Sequence, residues 1–198
     1  MSKGELTRQR IVALAAPIFN QRGYSGCSIQ DVMEATGLEK GGIYRHFKNK
    51  EELAAEAYRY SAQQVVEARA SSLDWTLSPL NLLRQYIQHF VEHPSPIPGG
   101  CPIMNTAVDS DDGNPLLRGM VQESIRTWEK RIAEVVAEGI RHREIRKSTD
   151  PQQIANTVIA ALEGALMISR IEGTRSALQD VRQSLEIILE NIACNPKH

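Results

Sequence analysis

The stretch Cys27–Leu53 reads CSIQDVMEATGLEKGGIYRHFKNKEEL. It holds two short helices, the tight turn between them and the capped start of a third. Ser28 lies three residues before Asp31, a capping-box spacing in which a hydroxyl and a carboxylate satisfy orphan helix donors. Ile29, Val32 and Met33 recur at the one-face spacing of a short amphipathic helix, and Gly37 closes it as a left-handed cap. A second short helix is predicted from about Glu39 to Phe47, and Asn49, with Glu52 three residues on, opens the next. Two short helices joined by a glycine turn form a helix-turn-helix, whose second helix enters the DNA major groove.

That second helix has an unusual composition. Gly41 and Gly42 are adjacent inside it, and each costs about 1 kcal/mol of helix stability relative to Ala. Close approach of backbone to another surface is the usual reason for such a glycine. Around the pair stand Lys40, Tyr44, Arg45, His46, Lys48 and Lys50, the mostly cationic, hydrogen-bonding set that phosphate positioning and base reading require. Arg45 is suited to a bidentate contact with guanine. Lys48 and Lys50 flank the Asn49 cap and suit phosphate, and Ser28 adds a hydroxyl at a helix start, where anions are favoured. Thr7, Arg8 and Arg10 lie on the first helix, where a contact to the DNA and plain solvation are both open. Ile43 and Phe47 read as core.

The run IVALAAPIFNQRGYSGCSIQDVMEATGLEKGGIYRHFKNKEEL, Ile11 to Leu53, resembles the DNA-binding domain of the TetR family of bacterial transcriptional regulators. The resemblance is carried by Phe19 with Gly23-Tyr24, by Ala35-Thr36-Gly37 and by Tyr44 through Lys50. Gly100-Cys101-Pro102 followed by Ile103-Met104-Asn105 is similar to a motif of one subset of the family's C-terminal domains. The resemblance implies an all-α chain of about nine helices, in which a three-helix DNA-binding domain is joined by a long helix to a helical ligand-binding and dimerisation domain. It also implies phosphate contacts for Tyr44 and His46.

Composition agrees with that division. Residues 1–50 carry eight Lys and Arg against four Asp and Glu, a balance of +4, while the remainder carries fifteen against twenty, a balance of −5. A basic head on an acidic body is the footprint of a DNA-binding module on a non-DNA body. The expected domains are 1–50 for DNA binding and 51–198 for ligand binding and dimerisation. No uninterrupted apolar run reaches the ~18–20 residues needed to cross a bilayer, and MSKGELTRQR lacks the apolar core of a signal peptide; no membrane partner is expected. Cys27, Cys101 and Cys194 are odd in number and far apart, which argues against a disulfide framework and fits a reducing cytoplasm.

Helical patterning runs through the chain. The first helix is predicted over Glu5–Arg22, with Pro17 expected to kink it. The fourth is predicted over Lys50–Leu73, with Leu53, Ala57, Tyr60 and Gln64 inward. Ser78-Pro79, Asn114-Pro115 and Asp150-Pro151 each place a cap before a first-turn proline, giving helices near 79–92, 115–142 and 151–172, with Gln153 completing a box with Asp150. A short helix is expected near 102–108. In the last two helices the seams Ile154, Val158, Leu162, Ala165 and Leu178, Val181, Leu185, Ile188 repeat at three and four. Such seams suit a core, but a helix-turn-helix reader commonly binds as a dimer with one head per half-site. The resemblance points to a four-helix bundle shared by two copies, so these eight residues are the expected homodimer interface.

The expected function is a ligand-responsive regulator, a repressor that binds a palindromic double-stranded DNA operator as a homodimer and is released by a small-molecule effector. Release works through two dimer geometries, one of which the effector binds more tightly. Tyr86, His89, Phe90, Cys101, Met104, Met120 and Trp128 are the candidate pocket lining, mostly apolar with a few polar groups. No catalytic residue, metal or cofactor is expected. His89 and His93 have helical metal-ligand spacing and Cys101 follows, but two histidines are too few. Two alternatives remain at this point: a ligand-independent architectural or adaptor protein, and a Cys101-based enzyme or redox sensor.

Overall fold

The computed structural model describes residues 2–194. Its order is α1 (Lys3–Gly26), α2 (Ile29–Thr36), α3 (Lys40–Tyr44), α4 (Lys50–Ser71), α5 (Pro79–Glu92), α6 (Pro102–Ser110), α7 (Pro115–Arg141), α8 (Pro151–Glu172) and α9 (Ser176–Ile192). Among the described residues there is no strand, and Ile145 and Ala193 form an isolated antiparallel bridge. The all-α architecture matches the expectation, and the predicted starts at Pro79, Pro115 and Pro151 are the observed ones.

The chain divides into two compact units, residues 1–68 with 95–124, and residues 69–94 with 125–198. The first unit therefore contains most of α4, α6 and the start of α7 beside the three N-terminal helices, and so extends past the boundary expected after residue 50. Its core joins Ile11, Val12 and Ala15 of α1 to Cys27, Val32, Ile43, Phe47 and Leu53. On α4 the buried positions are Leu53, Ala54, Ala55, Ala57, Tyr58, Ser61 and Val65. Tyr60 and Gln64, expected inward, are half-buried, because the packed face is rotated by about a quarter of a turn toward Tyr58 and Ser61.

Inside α1 the non-helical torsions fall at Gly23 (φ 73°, ψ 171°) and not at Pro17. The break is fastened from α6. The Tyr24 amide donates to Asp109 Oδ2 at 2.6 Å, and a Cβ on Gly23 would sit 2.6 Å from Asp109 Oδ1. One turn earlier, Asn20 donates to the Pro98 and Gly100 carbonyls, and Asn105 donates to Asn20 Oδ1 and the Gly99 carbonyl. Gly100 through Asn105, singled out as a motif, thus works as a polar fastening against α1.

Caps explain most helix starts. Asn49 Oδ1 accepts from the Glu52 amide, Asn114 Oδ1 from the Leu117 amide, and Asp150 from the Gln152 and Gln153 amides. Ser78 makes no side-chain cap; Glu144 serves instead, accepting from the Leu80 amide at 3.3 Å.

The second unit is built on α5, the later part of α7, α8 and α9. Ile154, Val158, Leu162 and Ala165 of α8 and Leu178 and Leu185 of α9 are buried in this core, and Val181 and Ile188 pack against it. These are the residues expected at a homodimer interface: six of them are buried in the chain's own core, while Val181 and Ile188 are half-buried and keep some surface. The opposite face of α8 is apolar as well, with Met167, Ile168 and Ile171 exposed. That double-sided composition makes α8 long and apolar enough to cross a membrane by length and composition, although its apolar residues are interrupted by polar ones. Nearly half of its most apolar window is buried inside the chain, as for a core helix.

Gly23 occupies a region of torsion space that is essentially restricted to glycine. Gly23→Ala is therefore expected to destabilise the chain by about 1–3 kcal/mol, read as a lower denaturation midpoint in urea. An unchanged midpoint would show that the Asp109 fastening tolerates a Cβ.

Candidate nucleic-acid interface

The head is set by local chemistry. Ser28 Oγ accepts from the Asp31 amide while Asp31 Oδ2 accepts from the Ser28 amide, the reciprocal box expected at α2. Ser28 Oγ also donates to Asp31 Oδ2 at 2.6 Å, and Arg22 pairs with the same carboxylate. These bonds, those from Ser28 foremost, hold the Asp31 carboxyl below the usual carboxylate range. The single hydroxyl proton of Ser28 is committed to Asp31, so Ser28 is occupied as a cap and a phosphate contact from it requires that bond to break. Gly37 is left-handed (φ 68°) and its amide donates to Met33 O, while Thr36 Oγ1 donates to Val32 O at 2.7 Å and fixes the turn.

α3 itself is one short turn. The α-helix spans Lys40–Tyr44, and the bonds from the His46 and Phe47 amides to Ile43 O continue the turn to the residue where the predicted helix was to end. Five residues cannot stabilise a helix alone. Ile43 and Phe47 hold it, being 0% and 2% exposed in the core. This leaves Lys40, Gly41, Tyr44, Arg45 and Lys48 exposed, with Gly42, His46 and Lys50 half-buried. The two glycines separate by role. A Cβ on Gly42 would meet Leu38 Cβ at an ordinary 3.5 Å, whereas a Cβ on Gly41 would meet nothing within 4 Å among the described residues. No part of the first unit requires glycine at position 41.

The cations are arranged by neighbouring rings. The Lys40 ammonium lies 6.0 Å from the Tyr44 ring centroid and that of Lys50 lies 4.4 Å above Tyr24. Arg8 belongs to the fold. It forms ion pairs with Glu52 and Glu56 and lies 4.3 Å over the Phe47 ring. The Glu52 carboxyl, which accepts from the Lys48 amide and pairs with Arg8, is held below its ordinary range. Arg8 thus props the residue that anchors α3, a role that residue spacing could not show because its partners lie more than forty positions away. Thr7 Oγ1 donates to Lys3 O within its own helix, and Arg10 is exposed.

The seven residues expected to line an effector pocket fall in both units. In the second, Trp128 Nε1 donates to the Tyr86 hydroxyl at 2.6 Å, Phe90 stacks near Trp128, and the Arg69 guanidinium lies 4.4 Å from the Phe90 ring centroid and 5.0 Å from that of Trp128. These aromatics are joined to the buried core. In the first unit, Cys101 is 2% exposed at the start of α6, Met104 is half-buried, and Met120 lines an open groove of about 570 Å³ with Tyr58, Arg59, Ala62 and Leu116. Among the described residues no group of three or more His, Cys, Asp or Glu is placed to hold a metal.

His89 and His93 stack with centroids 4.2 Å apart. Burial, with the neighbouring His93 and Arg69 opposing a further charge, pushes the His89 pKa below its ordinary value; Glu92 acts in the other sense. The folded state therefore binds fewer protons at this site than the unfolded one. Its contribution to stability is full above about pH 6.5, the unfolded value, and is lost as pH falls through the lower folded value. His89→Gln is expected to flatten the fall of Tm between about pH 7 and pH 5.5. An equally steep fall in the variant would assign the acid sensitivity elsewhere.

Comparison with known proteins places this geometry. Residues 11–57 match the family described as bacterial regulatory proteins, tetR family, and residues 79–185 match the tetracyclin repressor-like C-terminal domain. The chain is 28% identical over 185 residues to the HTH-type transcriptional repressor DhaR of Mycobacterium sp. (strain GP1), covering 92% of this chain and 90% of that protein. A TetR transcriptional regulator from Chloroflexus aurantiacus J-10-FL is 43% identical, with a TM-score of 0.92 and 98% of each chain covered. A TetR-family regulator from Cytophaga hutchinsonii is 34% identical, with a TM-score of 0.92 and 99% of each chain covered. With a helix-turn-helix head, an all-helical body and both family regions present, the chain belongs to the TetR family of bacterial transcriptional regulators.

Proposed function

We propose that the protein is a cytoplasmic, homodimeric repressor that binds a palindromic operator and releases it when a small-molecule effector binds. Residues 1–50 supply the DNA-binding part and residues 51–198 the ligand-binding and dimerisation part. The observation that carries the reading is α3: a turn anchored by Ile43 and Phe47 that exposes Lys40, Gly41, Tyr44 and Arg45 together. Arg45 reads a guanine edge. Lys40, Tyr44, His46, Lys48 and Lys50 grip the backbone, and Gly41 and Gly42 let the turn come close. The repressor assignment is favoured by the similarity to DhaR, which carries that designation.

A second copy is proposed to cover the exposed face of α8 and α9 in place of the buried seams. Ala160, Met167, Ile168 and Ile171 are exposed on α8, as is Ile187 on α9. Gly164, on the same face of α8 as Ala160 and Met167, has open space where a Cβ would project. Clustered exposed apolar groups mark protein interfaces, and small residues let helices pack closely. The effector acts by binding one dimer geometry more tightly than the other.

Selection of bound sites from a randomised duplex library at near-physiological salt tests the reading. The wild type is expected to yield a palindromic consensus. Arg45→Ala is expected to blur one position per half-site at a cost of about 1–3 kcal/mol. Weak, strongly salt-dependent binding with no consensus would contradict sequence-specific repression and favour an architectural role.

A further inference from the structure

Among the described residues nothing accounts for Gly119. It lies in the interior of α7, where glycine costs about 1 kcal/mol relative to Ala, and no atom of the described residues stands within 4 Å of the position its Cβ would take. Gly139, on the same helix, shows what an internal reason looks like: a Cβ there would meet Ile145 Cδ1 at 2.5 Å and Pro79 Cβ at 3.3 Å. What does lie beside Gly119 is the groove of about 570 Å³ between α4 and the start of α7. That volume is within the range of small-molecule sites. Ala62, Pro115, Leu116 and Met120 give it apolar walls.

The polar groups of the groove restrict what can bind. Tyr58 and Ser124 both line it. The Tyr58 hydroxyl donates to Ser124 Oγ at 2.7 Å, and Ser124 Oγ donates to Met120 O at 3.1 Å. Both hydroxyl protons are thereby committed, and what remains to face a ligand is acceptor lone pairs. Burial raises the Tyr58 pKa to about 12, so the phenol keeps its proton. Arg59 on α4 and Glu123 on α7 also line the groove. Neither forms an ion pair among the described residues, and together they leave the groove without net charge.

We infer that the α4–α7 groove is a binding site for an uncharged, mostly apolar molecule that donates one hydrogen bond, from a hydroxyl or N–H group, to the Tyr58–Ser124 hydroxyl pair, its apolar body lying against Gly119. Ligands that only accept hydrogen bonds leave those lone pairs facing apolar surface and are disfavoured. This names a ligand class for the ligand-responsive reading. Its test uses no DNA, so the groove can fail while operator recognition stands, and the reverse.

The test is titration of the full chain with N-phenyl-1-naphthylamine, an uncharged probe with one N–H, followed by competition. The wild type is expected to give a saturable rise in fluorescence. 4-Hexylphenol is expected to displace the probe at about tenfold lower concentration than 4-hexylanisole, the same body without the O–H. Gly119→Leu is expected to weaken probe binding by about tenfold or more while leaving Tm unlowered, since the added side chain meets open space and leucine favours helix. Ser124→Ala frees the Tyr58 proton to face the groove and is expected to narrow the phenol preference. The inference is overturned by absence of a saturable signal, by equal probe binding in Gly119→Leu, or by equal competition from the ether and the phenol.

Discussion

A reading helix of five residues exists only because its neighbours hold it. Helix nucleation is unfavourable and a single turn recovers few hydrogen bonds, so α3 depends on Ile43 and Phe47 being buried against α1, α2 and the start of α4. Phe47 is in turn covered by the Arg8 guanidinium, itself fixed by Glu52 and Glu56. The polar side of α3 can then be chosen for contact rather than stability. A basic, glycine-containing turn that would not be helical as a peptide is thereby presented in one conformation.

The helical glycines of this chain separate into those that internal packing requires and those it does not. Gly23 and Gly139 face atoms that leave no room for a methyl group. Gly41, Gly119 and Gly164 face open space and weaken their helices without return inside the chain. They lie on three different surfaces: the exposed side of α3, the α4–α7 groove and the outer stripe of α8. The DNA, ligand and second-copy readings each assign one of them a neighbour. The same physical reason, close backbone approach, serves all three.

Much of the fold was legible because it rests on short-range signals. First-turn prolines marked the starts of α5, α7 and α8, with side-chain caps from Asn114 and Asp150 before the last two, and the Ser28–Asp31 box with Gly37 marked α2. Long-range effects were not legible. The break in α1 comes at Gly23, not at Pro17, because Asp109, 85 residues on, takes the Tyr24 amide. Arg8 was left between DNA contact and solvation, since its acidic partners sit on α4. Periodicity identified the seams of α8 and α9 correctly as apolar but could not tell a helix's own core from a partner face, and α8 is apolar on both. At the candidate site the exposed cations were readable from composition. The commitment of the Ser28 proton to Asp31, and the spread of the expected lining residues over two units, needed coordinates.

The most direct test of the central claim, that α3 is shaped for close approach to DNA and not for its own stability, is to measure Gly41→Leu for both properties. Folding stability in urea is predicted to be unchanged or slightly higher, because the added side chain enters open space and leucine is the better helix former. Affinity for the selected operator duplex is predicted to fall by about tenfold or more, equivalent to about 1.4 kcal/mol. Undiminished operator affinity in a stably folded Gly41→Leu protein would contradict the account.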